Sequence, residues 1–472
     1  MIKPNVPPDA SAESVPPNLP ATNPPRMAYE DDLWKRRYNG LEAMMGQVDN
    51  ALNQKFMGVE ALGRVIEGFR LFAEGQYTYF RTQPPPPSYQ RELALRITLN
   101  KLGEDLEVIE RIACQRSASR TNATLAKRLA LTDFLAYEAM RPVFGDLLPE
   151  GGTVLTYFQK SPEIRVIPYT NVALIGMPYS CLTENRDLLA LPHEVGHYIY
   201  WNALNLKPSR FLGSDLRVAD LLQWQLRKAF PMLSDYALAW TEEAFADCYG
   251  AWLAGAYLAK DSQDYEVEYA PTNLLRDDGE HPLPAIRPYS HIQMLRNQGQ
   301  SGWADQLRTE WRDAVQAAFY CDPEMTQFTP QGGKQLVSLA EARDDGLLKM
   351  ASVAQTWLDQ IGPSRRALSF WQSIAPPPYA DYAAARNASS NLYEDFSTKM
   401  VDLTKNGVPP AGAPNTEKFI WGEYRAALLL QDQSRVAQMT PDQQEAYKQN
   451  EWLVILEAGG WTTGPNDPKR TR

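Results

Sequence analysis

Two histidines and a glutamate stand together in the pentapeptide His193-Glu194-Val195-Gly196-His197. On an α-helix, residues i and i+4 share a face, so both imidazoles can reach one metal ion at about 2.0–2.1 Å. Glu194 follows the first of them. A carboxylate there can take a proton from water held by the ion without ligating it. The chain has only four histidines, and the other two, His281 and His291, also lie before residue 300. Two surface histidines on an amphipathic helix would be the plainer reading. Leu188, Leu189 and Leu191 before the motif and Tyr198, Ile199 and Trp201 after it favour a buried helix instead. Pro192 suits a first-turn position, so the helix either starts near Leu191 or kinks there.

A zinc site of this kind needs a third protein ligand and an open position. The candidate is Glu243 in Thr241-Glu242-Glu243-Ala244-Phe245-Ala246-Asp247. Glu243 and Asp247 are again i and i+4, inside an otherwise apolar run from Tyr236 to Leu253. Carboxylates in such a run are costly unless they are paired or bound to a cation. Glu243 is the expected ligand, with Glu242 and Asp247 as rivals. Asp247 could instead accept the free ring N–H of a ligand histidine and fix its tautomer. Cys181 and Cys248 flank these motifs and read as buried, inert thiols rather than ligands.

The H-E-x-x-H element followed by E-x-x-A-D resembles the gluzincin zinc metallopeptidases. A third element, His281-Pro282-Leu283-Pro284-Ala285-Ile286-Arg287, resembles the H-P-x-x-x-x-R of CAAX prenyl protease and HtpX-like peptidases. The likeness spans roughly residues 165–295 and is one of motifs. It implies a zincin-like core in which His193, His197 and Glu243 hold Zn²⁺ and Glu194 activates water. It also implies that Asp247 orients His193 and that His281 polarises the substrate carbonyl. Arg287 either joins His281 in that task or buttresses the fold by pairing with a carboxylate such as Asp247. Tyr289 is a further candidate donor, and His291, ahead of Ile292, Met294 and Leu295, reads as a packed helical histidine. The resemblance assigns substrate binding to the strand before the active helix, Asn171–Met177, as an edge strand open to an extended peptide. Tyr200 and Ala203 stand where a metzincin would carry Gly and His, which excludes that class. The aminopeptidase G-x-M-E-N signature is missing, which favours an endopeptidase.

The elements around these motifs predict a mainly α fold with a small β-sheet (α+β), a zincin-like core flanked by helical regions. Residues 1–26 hold eight prolines and almost no large apolar side chains, the composition of a disordered tail. Residues 27–150 read as an N-terminal helical region. Leu41, Met44, Met45, Val48 and Leu52 recur at helical steps, Pro84–Pro87 breaks the pattern, and Thr121 or Asn122 caps a later helix. Residues 151–300 form the expected core. Its strands are Thr153–Phe158, Ile164–Pro168 and Asn171–Met177; helices follow from Asn185 to Lys260, then a polar excursion over 261–290. Residues 301–472 read as a C-terminal helical region.

Composition bounds the function. Of 472 residues, 44% are hydrophobic and 22% charged, a globular balance that excludes wholesale disorder. The net charge of −10, with a basic run only at Lys469–Arg472, argues against a nucleic-acid partner. No stretch approaches the ~18–20 apolar residues of a membrane span, and the N-terminus lacks an apolar signal region. Four scattered cysteines suit reduced thiols in the cytoplasm, although signal-independent export would leave no trace. The sequence therefore predicts a zinc metallopeptidase acting on a peptide or protein. Its rivals are a helical scaffold with a structural metal site and an effector protease of narrow specificity. Oligomeric state is left open.

Overall fold

The computed structural model describes residues 24–406 and Pro441, apart from 54–55, 57, 83–90, 145–146, 149–151, 166, 168, 205–215, 269–272, 320–324 and 334. Residues 1–23 of the proline-rich segment and the basic C-terminal run lie outside the described residues, whereas residues 24–26, expected to belong to the disordered tail, are helical. The whole Pro84–Pro87 break and the stretch after residue 406, Pro441 excepted, lie outside them as well.

Four helices open the chain: α1 (Pro24–Leu52), α2 (Val59–Thr82), α3 (Arg91–Ser119) and α4 (Ala123–Met140). The apolar stripes of α1, α2 and α3 close on one another through Met45 and Val48, Leu62 and Phe69, and Leu102 and Ile109. Asn122 caps α4, its side chain accepting from Leu125 N at 3.0 Å. Strands β1 (Thr153–Gln159), β2 (Glu163–Arg165) and β3 (Val172–Pro178) then form a sheet in the order β1-β3-β2. β1 runs parallel to β3 from Thr153↔Val172 to Gln159↔Pro178, and β2 runs antiparallel to it from Glu163↔Gly176 to Arg165↔Leu174.

Both faces of this sheet are buried, so β1 and β3 read as unbroken apolar runs rather than as alternations. Leu155, Tyr157, Val172 and Leu174 face the α1–α3 bundle. Val154, Phe158, Ala173, Ile175 and Met177 face the larger core. A buried ion pair joins the layers. Arg116 Nη1 and Nη2 of α3 donate to Asp133 of α4 at 2.6 and 2.7 Å, and Thr156 N of β1 donates to Asp133 Oδ1 at 2.8 Å.

The order of strands corrects one expectation. β3, which contains most of Asn171–Met177, is the central strand and has neighbours on both sides. The edge strands are β1 and β2, and the far side of β2, the one that borders the cleft, pairs with no strand among the described residues.

The larger core is built from α4, the sheet and the helices that follow. These are α5 (Leu191–Asn202), α6 (Val218–Ala229), α7 (Asp235–Ala239), α8 (Thr241–Ala254), α9 (Ala256–Glu268), α10 (Pro288–Asn297) and α11 (Ser301–Phe319). After a short β4–β5 ladder (Gln327–Phe328 with Val337–Ser338), α12 (Leu339–Glu341) runs through a π-helical stretch into α13 (Leu348–Ile361). Four more helices finish the described chain: α14 (Pro363–Arg366), α15 (Phe370–Ile374), α16 (Tyr382–Ser389) and α17 (Leu392–Asn406). One apolar cluster runs from Ala126 to Met400, across the divisions drawn at 150 and 300. Trp371 Nε1 donates to Leu135 O at 2.8 Å and Ser369 Oγ to Glu138 O at 2.6 Å, tying the late helices to α4. The fold is thus mainly α with a small sheet. No helix among the described residues is long and apolar enough to cross a membrane.

Candidate metal centre

The site is built where α5 crosses α8, and small residues set how closely they meet. A Cβ placed on Gly196 would lie 2.7 Å from Ala246 Cα, and one on Gly250 would lie 3.3 Å from His193 N. Only glycine allows this approach, which brings the His193/His197 face of α5 against Glu243 of α8. Pro192 occupies the first turn of α5, as its missing N–H requires, and the helix begins at Leu191 after a 3₁₀ turn rather than kinking.

The two Nε2 atoms of His193 and His197 lie 3.1 Å apart. Glu243 closes the triangle, with Oε2 3.6 Å from His193 Nε2 and Oε1 3.4 Å from His197 Nε2. Ligands around a tetrahedral ion at 2.0–2.1 Å are separated by about 3.3 Å, so these edges match that geometry. The opposite ring nitrogens are already engaged. His193 Nδ1 lies 3.0 Å from Asp247 Oδ1, and His197 Nδ1 lies 3.0 Å from Glu242 Oε1. With Nδ1–H donated to a carboxylate on each ring, the two Nε2 lone pairs point into a shared space. That space, which the Arg287 guanidinium approaches to 3.4 Å from His193 Nε2, could hold a metal ion. Electrostatics press the same way. Burial alone would lower the His197 pKa, but Glu243, Glu242 and Glu194 outweigh it and raise it to about 9. Burial would likewise raise the carboxyl of Glu243, yet His197, His281 and Arg287 hold it well below the usual range.

Asp247 stands where it was expected, and Arg287 takes the buttressing place. Arg287 Nε and Nη2 each reach Asp247 at 3.0 Å, and Nη2 also donates to Glu243 Oε2 at 3.0 Å. One guanidinium therefore fixes both carboxylates of α8. His281 Nδ1 lies 2.8 Å from Asp278 Oδ2 and its Nε2 lies 3.2 Å from Glu243 Oε1. These two contacts raise its pKa to about 10. Glu194 lines the cleft beside the ligands and is 7% exposed; burial raises its carboxyl above the ordinary range against the pull of both imidazoles.

One expectation needs correction. Tyr289 does not reach the site: its ring packs on the core beneath the Arg343 guanidinium, 5.0 Å from the ring centre, and does not line the cleft. Glu242, considered as a rival ligand, sits on the Nδ1 side of His197. There its Oε1 also accepts from Trp201 Nε1 at 2.7 Å. It orients His197 as Asp247 orients His193, a role that no spacing rule signalled. His291 is a packed helical residue on α10, 1% exposed, with Nε2 3.5 Å from Asp247 Oδ1.

A cleft of ≈ 950 Å³ opens over the ligands. Residues 160–164, leading into and forming β2, make one wall, and α9 makes another with Leu258, Asp261, Ser262 and Tyr265. The polar excursion expected over 261–290 is thus helical in its first part, and it does line the site.

No protein-family model, curated protein or solved structure matches the chain. Fold and site together define a mainly helical protein in which His193, His197 and Glu243 could hold a metal ion.

Proposed function

We propose that this chain is a zinc-dependent metallopeptidase of gluzincin type, cleaving a peptide or protein substrate in the cytoplasm. The observation that carries the reading is the ligand triangle, two Nε2 atoms and a carboxylate at tetrahedral spacing, with the outer nitrogens held by Asp247 and Glu242. The donor set suits zinc, which favours nitrogen and carboxylate ligands in this arrangement. Bound there, zinc would act as a Lewis acid on water and on a peptide carbonyl. Glu194 takes the proton of the attacking water and delivers it to the leaving amine. His281 places a charged donor at the cleft beside Glu243, within the region where carbonyl oxygen would gain negative charge. The free edge of β2 offers backbone groups to an extended substrate, taking the place expected of β3. The free thiols of Cys114, Cys181 and Cys248 fit a reducing compartment.

The test is Glu194→Gln in the zinc-loaded protein, assayed against a diverse peptide library. The variant keeps its zinc and loses about 10²–10⁴-fold in kcat/KM. A zinc-loaded wild type that cleaves nothing in the library, or a variant that cleaves as well as wild type, would refute the reading. The scaffold alternative would then stand.

A further inference from the structure

His281 stands between α9 and α10 on a stretch of turns. Its side chain is 42% exposed, so the ring has room to swing away from Glu243 unless it is held. Asp278 holds it from within the same turn, facing Nδ1 and accepting from the backbone N–H groups of Glu280 and His281 at 3.0 and 2.9 Å. A turn bonded only to itself can still move as a unit, and the residue before Asp278 prevents that. Asp277 Oδ1 accepts from Gly279 N at 3.0 Å, which closes the turn. Its Oδ2 accepts from Gln331 N at 2.7 Å, at the tip of the β4–β5 hairpin. Gly279 permits this approach: its φ is +81°, and a Cβ there would run into Gln331 Oε1.

The hairpin is itself anchored to the helix that carries the third ligand. Phe328 of β4 is buried, with its ring centre 6.4 Å from that of Trp240 and 5.9 Å from that of Tyr236. Trp240 is the residue before α8, and its carbonyl accepts from Ala244 N at 2.9 Å. At the base of the hairpin Leu339 N donates to Thr326 O at 2.9 Å, and at its tip Gly333 N donates to Pro330 O at 2.8 Å. The contacts make a closed circuit. It runs from Glu243 back to Trp240, through Phe328 to the hairpin tip, and through Asp277 to the turn of His281. His281 Nε2, 3.2 Å from Glu243 Oε1, completes it. The ring is thereby fixed relative to α8, as a donor that must meet a carbonyl oxygen requires, since a misplacement of about 1 Å can cost about 10²-fold in rate.

We propose that the tip of the β4–β5 hairpin, acting through Asp277, is a positioning element of the site: it holds the His281 ring over Glu243, where that ring meets the scissile carbonyl. The proposal rests on the peptidase reading, so the mobility of the ring is measured separately from hydrolysis. The variant is Asp277→Asn in the zinc-loaded full chain. Its amide keeps one acceptor oxygen and its NH₂ cannot accept, so the turn and the hairpin are no longer both bonded. Zinc content and melting temperature stay close to wild type. On a peptide that wild type cleaves, kcat falls about tenfold with KM unchanged, the pattern of an interaction made only in the transition state. In a His281→Ala background the same substitution changes kcat by less than about twofold. Glu280→Gln, which removes the same charge beside His281 and no bond of the clamp, keeps the wild-type kcat. NMR relaxation of histidine labelled at Cε1, with four such residues in the chain, shows a more mobile His281 in Asp277→Asn and no change in the other three. An equally rigid His281 overturns the proposal. So does an unchanged kcat, or a loss of kcat as large without His281 as with it. If wild type cleaves nothing the peptidase reading falls, and the relaxation alone then decides the clamp: a more mobile ring keeps it and an unchanged ring ends it.

Discussion

Replacing Gly196 by alanine tests whether the crossing of α5 and α8 sets the metal geometry. The new Cβ would meet Ala246 Cα at 2.7 Å, its carbonyl oxygen at 3.1 Å and its Cβ at 3.2 Å. Carbon atoms pack at about 3.5–4.0 Å, so the helices must part by about 1 Å. No rotamer change can relieve the contact, because the obstructing atoms are backbone and Cβ. His193 and His197 ride on one helix and Glu243 on the other. Their separations of 3.4 and 3.6 Å would therefore open towards about 4.5 Å, against the 3.3 Å or so that a tetrahedral ion requires. Stability should change less than affinity. Alanine gains about 1 kcal/mol of helix propensity, and overpacking costs about 1–3 kcal/mol. Zinc affinity should fall about 10–100-fold, as when the support of a ligand is removed. Competition with a chromophoric chelator would measure that, with the melting temperature in chelator recorded alongside. Gly75→Ala is the control: nothing lies within 4 Å of its Cβ on α2, so it should stabilise by about 1 kcal/mol and leave zinc affinity unchanged. An unaltered zinc affinity in Gly196→Ala would refute the reasoning.

Three further outcomes follow from the structure. Arg116→Met leaves the Asp133 carboxylate buried without its partner and should cost about 3–5 kcal/mol in urea unfolding; a loss under about 1 kcal/mol would contradict the account of the layer junction. Asp247→Asn removes the anion facing His193 Nδ1 and should weaken zinc about 10–100-fold by chelator competition, whereas unchanged affinity would mean that Asp247 does not support the ligand. A thiol reagent should label exposed Cys114 in the folded chain, while Cys181 and Cys248, whose thiols burial pushes up, react only after unfolding; mass spectrometry of the labelled peptides would show any early reaction at those two.

The parts of this site visible in the sequence were those fixed by local geometry. His193 and His197 share a face because an α-helix repeats every 3.6 residues, and Asn122 and Pro192 hold the places their backbone chemistry demands. Apolar runs marked β1 and β3 as strands. What sequence could not give was set by contacts between distant elements. The order β1-β3-β2 depends on a crossover, and the apolar run of β3 suits a centre more than an edge, a cue that burial on both faces makes plain. Glu242 and Glu243 are adjacent in sequence but take different tasks, because α8 turns one towards Nδ1 of His197 and the other towards the Nε2 pair. The late helices carry no motif, yet Trp371 and Ser369 are bonded to α4 more than 230 positions earlier in the chain. The role of Gly196 appears only against Ala246 of the neighbouring helix.

The most direct test of the central claim is the metal content of the purified full chain, by elemental analysis, with His193→Ala and Glu243→Gln beside wild type. The account predicts about one zinc per wild-type chain and a loss of that zinc in both variants. Wild type without zinc after reconstitution, or variants that keep it, would contradict the three-ligand site and everything built on it.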